Sequence, residues 1–193
     1  MILWTIQPAK VWSVIRYDGV YRCKPALSSV SDPNTVRAYN WLADSMAARI
    51  GAPPRGAIWP VWAWYMRNGK RAKPDLRAER WRCGPGNEEF TCLEIDVPAD
   101  RVVLSDFDVW HIILNDGLIS TTEEEHLQLE ARFYSLPPMR RAAYQQQNWT
   151  RVFDVTPFEN DWMMRGKWIQ ATFWELRREQ VRNVRTFKTA AMK

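Results

Sequence analysis

Residues 2–20, ILWTIQPAKVWSVIRYDGV, read as a strand, a helix and a stop. Ile2, Trp4 and Ile6 fall on one side of an extended chain and Leu3 and Thr5 on the other, because successive side chains alternate. Pro8 suits the entry to a helix, where its missing N–H costs nothing. Val11, Val14 and Ile15 give that helix an apolar stripe, and Gly19 can take the left-handed position that ends it. No glycine-rich turn follows the first strand, which argues against a doubly wound nucleotide-binding sheet.

Working outward, GVYRC (19–23) reads as a short extended piece. SSVSDPNTVRAYNWLADSMAARIG (28–51) is the clearest helix, capped by Ser31 or Asp32, with Pro33 in its first turn and Gly51 at its end. VWAWYMR (61–67) is an aromatic strand whose beginning Pro60 places at an edge or bulge. Residues 67–88 are basic and rich in Gly and Pro, and read as a long loop. Thr91, Leu93, Ile95 and Val97 alternate as a half-buried strand, and RVVLS (101–105) is a second extended piece. Two helices follow, with Pro137 and Pro138 between them; Thr121 with Glu124 makes a capping-box pattern at the start of the first. WIQATFWEL (168–176) and QVRNVRTF (180–187) close the chain as strands. Strands and helices do not alternate regularly. The expectation is therefore α+β with a mixed or antiparallel sheet, one domain over 1–193, and a helical segment at about 120–150 inserted before the final strands.

The composition, 46% apolar and 25% charged over 193 residues, is that of a globular protein. No apolar run approaches the roughly 18–20 residues that span a bilayer, so no membrane association is expected. Neither is a signal peptide, because no Lys or Arg precedes the first apolar stretch and no small-residue cleavage site follows it. Three widely spaced cysteines, Cys23, Cys83 and Cys92, suggest a reduced cytoplasmic setting and do not have zinc-ligand spacing. The formal charge of +5 gathers at 67–82, RNGKRAKPDLRAERWR, and in the tail from Arg177. Such stretches either solvate a loop or meet phosphate, in a nucleotide or a nucleic acid. Trp59, Trp62 and Trp64, among 12 tryptophans, are either core or a stacking wall for a flat ligand.

Two stretches invite a chemical reading. SDFDVWHIILNDG (105–117) holds Asp106, Asp108 and His111, an acid–histidine cluster on one reading. The plainer reading makes Ser105 a helix cap, with two acids in a first turn that favours them by roughly 0.3–1 kcal/mol each. His111 would then pair with Asp108 one turn away. In WIQATFWEL, Trp168, Gln170, Thr172 and Trp174 share one face, and Ile169, Ala171 and Phe173 the other, up to Glu175. A buried Gln without a partner costs about 1–3 kcal/mol, so Gln170 has either a protein partner or a ligand. There is no GxSxG elbow, no phosphate-binding Gly-Lys-Thr/Ser loop and no HExxH.

LWTIQP, PVWAWY, KPDLR, LSDFDVWHIILN and WIQATFWEL together resemble a family of small bacterial proteins classed as a domain of unknown function. More distantly, the chain resembles the ADP-ribosyltransferase superfamily. LWTIQPAKVWSVIRYDGV has the outline of that superfamily's first strand and helix. VWAWYMR and TCLEIDVPADRVVLSD resemble its next strands, and IQATFWEL its strand bearing a catalytic Glu. The resemblance implies a split α+β sheet with NAD in the cleft, and chemistry that breaks the ribosyl–nicotinamide bond. It implies Thr5, Gln7 and Tyr65 lining the nucleotide, Arg67, Lys70 and Arg71 drawing in phosphate, and Gln170 or Glu175 acting at the ribose. Thr5 and Gln170 stand where the superfamily carries charged residues, and Gln cannot supply a carboxylate to a cationic transition state. The other expectation is a non-enzymatic module that holds a nucleic acid or a protein partner through the basic loop and its tryptophans.

Overall fold

β1 (Ile2–Pro8) runs straight into α1 (Ala9–Asp18), and Gly19 ends the helix at φ 77°, its N–H donating to the Ile15 carbonyl at 3.1 Å. The structure, a computed structural model, describes residues 1–24, 32–84 and 86–190. Next in chain order come β2 (Val20–Arg22), α2 (Pro33–Ile50), β3 (Val61–Met66), α3 (Leu76–Arg82), β4 (Glu89–Asp96), β5 (Val103–Asp106) and α4 (Phe107–Leu114). Then follow α5 (Glu123–Ser135), α6 (Pro138–Trp149), β6 (Phe158–Glu159), β7 (Met164–Arg165), β8 (Ile169–Phe173), β9 (Glu175–Arg177) and β10 (Val181–Lys188).

Six strands form one sheet in the order β10-β4-β1-β3-β8-β5, with every neighbouring pair antiparallel. The fold is α+β, as the irregular order of elements predicts. β2 with β9, and β6 with β7, form separate two-stranded ribbons. Among the described residues no helix is long and apolar enough to cross a membrane.

The strand register sorts the side chains into two layers. Leu3, Val61, Ala63, Leu93, Ile95, Ala171 and Phe173 form a core with Val11 and Ile15 of α1. Thr5, opposite Leu93, is buried in the same layer. Trp4, Ile6, Trp62, Trp64, Gln170 and Ser105 point to the other side. α2, α4 and the turn after α6 cover part of that side with Trp41, Leu42, Met46, Trp110, Ile113, Trp149 and Val152. The alternation expected of residues 168–174 is the one observed, with Ile169, Ala171 and Phe173 fully buried on the α1 side.

Four details depart from the sequence reading. Residues 67–88 contain a helix, α3, capped by Asp75. It carries no apolar stripe, and its one buried residue is Glu79, so periodicity could not reveal it. WIQATFWEL divides into β8 and β9, because Trp174 leaves the sheet to donate its indole N–H to the Gly51 carbonyl at 2.9 Å. Asp106, not Ser105, caps α4, accepting from the N–H groups of Asp108 and Val109. The cap of α5 is Thr122, bonded to the N–H of Glu125, one residue beyond the expected pair. For α2 the cap is Asp32, which accepts from Thr35 N–H at 2.8 Å; Ser31 lies outside the described residues.

Candidate functional site

α2 and α4 leave one part of the tryptophan-bearing face open. There, Ile6 of β1, Trp64 of β3, Phe90 of β4 and Trp168 before β8 face a cavity of about 450 Å³. α3 supplies one wall with Glu79, Arg82 and Cys83, and the start of α4 another with Phe107 and Asp108. That volume lies within the roughly 300–1,000 Å³ typical of small-molecule sites.

The local sequence explains each wall. Arg67 leaves β3 into a tight turn, with Asn68 at φ 49° and Gly69 at φ 70°, and its backbone pairs with Lys70. The turn folds the Arg67 side chain back over its own strand, with its guanidinium carbon 5.1 Å from the Trp64 ring centroid and 5.9 Å from that of Trp168. Trp64 sits 5.1 Å from Phe107 and 6.0 Å from Trp168, ring to ring, at tilted and edge angles. Such spacings are those preferred by aromatic pairs.

The electrostatics are lopsided. Glu79 Oε1 accepts from Arg67 Nη2 at 2.5 Å and from Arg82 Nη1 at 3.1 Å. Arg67 and Glu79 are 12% and 6% exposed, whereas Arg82 is 55% exposed and reaches toward Trp168 at 6.0 Å. One carboxylate thus serves two guanidinium groups and leaves an excess of positive charge on this wall. The opposite sign appears on α4. The carboxyl of Asp108 is raised above the usual carboxylate range, first by burial and then by Asp106, with His111 opposing. His111 is not its hydrogen-bond partner: Nδ1 bonds the Phe107 carbonyl at 2.8 Å.

Of the residues the sequence singled out, Arg67 lines the cavity. Gln170 lies on the same side of the sheet, in register with Trp64 and Ser105, and its Oε1 is buried without a partner. Thr5 and Gln7 belong to the opposite side. Thr5 Oγ1 donates to the Trp62 carbonyl at 2.7 Å and accepts from Gln7 Nε2 at 2.8 Å. Thr5 and Gln170 therefore do not share a cleft. Tyr65 alternates away from Trp64 and packs against the α1-side core, with Arg71 stacked on its ring at 4.2 Å. Lys70 is exposed. Glu175 is remote from the cavity and closes the β2–β9 ribbon: it takes Arg22 Nε at 2.8 Å, its register partner, and Arg177 Nε at 2.7 Å. It borders a second, more polar pocket of about 590 Å³.

The sequence reading places Glu79 and Arg82 in a loop and sets the acids of α4 in a helical first turn that favours them, with Ser105 as the cap, so it marks none of these as lining a cavity. A signal for the first pair was present: Asp75 can cap a helix, and Glu79 and Arg82 stand three residues apart, which puts them on one helical face.

A family model for a domain of unknown function (DUF3841) matches residues 2–182. The chain therefore belongs to that family, in keeping with the family resemblance carried by the motifs above. No curated protein and no solved structure matches the chain.

Proposed function

We propose that this member of the DUF3841 family binds a nucleotide in the cavity that Trp64 and Trp168 line, with the base against the indoles and phosphate at Arg82. The observation that carries the reading is the guanidinium of Arg67 over both indole rings, beside a second, exposed guanidinium. Aromatic faces bordered by arginines suit a flat base joined to an anion. Arg67 is held by Glu79 and acts mainly to shape the slot; Arg82 retains the exposure to meet phosphate. A cationic group is disfavoured beside Arg82, since like charges about 6 Å apart repel by roughly 3 kcal/mol at an effective dielectric of about 20.

NAD, the cofactor implied by the transferase resemblance, fits as one mononucleotide half: the aromatic walls accept a ring and Arg82 accepts a phosphate. When bound, NAD supplies an ADP-ribosyl group joined to a leaving nicotinamide. On that reading Trp64 and Trp168 hold a ring of the cofactor, and Glu79 and Asp108 are the carboxylates that border it, in place of Glu175. A mononucleotide also satisfies the site without any transfer.

Calorimetry and thermal shift with NAD, ADP-ribose and AMP test the proposal. Saturation at 100 times Kd stabilises the fold by about 2.7 kcal/mol through linkage. The expected result is a raised Tm for wild type, abolished in Trp168→Ala. No shift with any of the three at millimolar concentration overturns it. Nicotinamide release from NAD separates transfer from binding alone.

A second reading, a nucleic-acid surface, draws on the outer face of α3, where Trp81 is 74% exposed and the Arg77 side chain 91% exposed, four residues apart. Affinity for single strands that fell steeply with salt, and with Trp81→Ala, would favour it.

A further inference from the structure

We infer that Asp108 reads the base, accepting a hydrogen bond from an exocyclic amino group of a purine held against Trp64 and Trp168. This rests on the nucleotide reading above. Glu79, the other acid lining the cavity, is already engaged by Arg67 and Arg82. Asp106, beside it in sequence, is saturated as well: Oδ1 accepts from the N–H groups of Asp108 and Val109 at 3.0 and 3.1 Å, and Oδ2 from Gly166 N–H at 2.6 Å. Asp108 differs from both. It lines the cavity, and its Oδ2 is buried with no hydrogen-bond partner among the described residues.

A carboxylate oxygen withdrawn from water and left without a donor is costly, and one N–H from a ligand would remove that cost. On binding, the carboxyl turns about the Cα–Cβ bond so that this oxygen leaves its buried position and meets the donor in the cavity. Burial, with the Asp106 carboxylate beside it, holds the Asp108 carboxyl above its ordinary value.

The charge pattern orients the ligand. Guanidinium groups stand on the α3 side, Arg82 from the helix itself and Arg67 from the turn after β3, and the Asp108 carboxyl stands on α4, with Trp168, Trp64 and Phe107 in a run of ring contacts from Arg82 to α4. A nucleotide carries the complementary pair, an anionic phosphate and a base edge with amino donors. Phosphate is repelled by Asp108 and drawn to Arg82, and the base edge is left for Asp108. Adenine and guanine both offer an exocyclic amine, at different ring positions.

Calorimetry on two ligand pairs tests this. AMP and purine riboside 5′-monophosphate differ only in the 6-amino group; GMP and IMP differ only in the 2-amino group. The amino member of at least one pair is expected to bind wild type about tenfold more tightly, and the pair that discriminates identifies the base. Asp108→Ala is expected to bring that pair to within about twofold, with the weaker member's affinity little changed. Equal binding within both pairs overturns the assignment of Asp108 while leaving nucleotide binding intact, as does a preference that survives in a folded Asp108→Ala. If none of the four binds wild type, the nucleotide reading and this inference both fall. The wild-type comparison needs no variant, so the inference remains falsifiable even if Asp108→Ala is poorly folded.

Discussion

Glu79 shows how one side chain can organise a site that periodicity does not reveal. It is buried, and it is the shared partner of Arg67 and Arg82. Removing one partner of a buried ion pair leaves an uncompensated charge and costs about 3–5 kcal/mol. Glu79→Gln keeps the shape and one acceptor, so the lower end is expected, about 3 kcal/mol, read as a fall in the urea midpoint at unchanged slope. A loss below about 0.5 kcal/mol would mean that water already screens the pair. Asp106 is the second such residue. Asp106→Ala removes the cap of α4 and orphans the Gly166 N–H, and is expected to cost about 3 kcal/mol in the same assay. Thr5 carries the opposite lesson. A polar residue in an apolar strand invites a ligand, yet its hydroxyl is satisfied by the Trp62 carbonyl, a partner 57 positions away that no local pattern reveals.

At the scale of elements, helix starts and stops follow local chemistry, which is why Pro33, Gly19 and Gly51 fall where the sequence places them. Cap assignments shift by one residue because neighbouring Ser, Thr and Asp compete for the same N–H groups, and the approach of another segment decides between them. At α4 that segment is the turn at Gly166. Its φ is 82°, and an added Cβ would lie 2.5 Å from Pro157 Cα. Gly166→Ala is therefore expected to lower stability by at least about 2 kcal/mol, seen as a drop in Tm. No residue of α5 is fully buried, and an ion pair adds to the half-buried contacts that dock it. Glu125 accepts from Arg151 at 2.8 Å and from the N–H of Thr121 at 2.6 Å, and its carboxyl falls from 4.5 to about 2, chiefly through Arg151. A folded-state value below the unfolded one stabilises at higher pH, so this contribution is complete above about pH 5 and disappears as pH falls from 4.5 toward 2. Glu125→Gln should melt below wild type at pH 6, with the gap reduced to under about half by pH 3 and closing toward pH 2; a gap independent of pH would show that the charge is not what docks α5.

At the scale of the molecule, the sheet needs its last strand. β10 covers β4 along the register Val184–Lys188 opposite Leu93–Glu89, and Phe187 stacks on Phe90, a cavity residue, at 5.9 Å. β10 is itself an edge, and the exposed Arg182 and Lys188 guard it against pairing with another chain. Ending the chain at Gln180 exposes β4, and the expected outcome by size-exclusion chromatography is loss of the wild-type peak to aggregate; a product that elutes as the full chain does, with unchanged Tm, would contradict this. The sequence by itself determined the α+β class, most of the strands and helices, and the two-faced character of residues 168–174, because these follow from side-chain periodicity and local turn chemistry. Only the tertiary structure decided where a site could be. Strand pairing brings Ile6, Trp64, Phe90 and Trp168 from distant segments to one side of the sheet and leaves Thr5 on the other, and no periodic signal along a chain records which strands become neighbours.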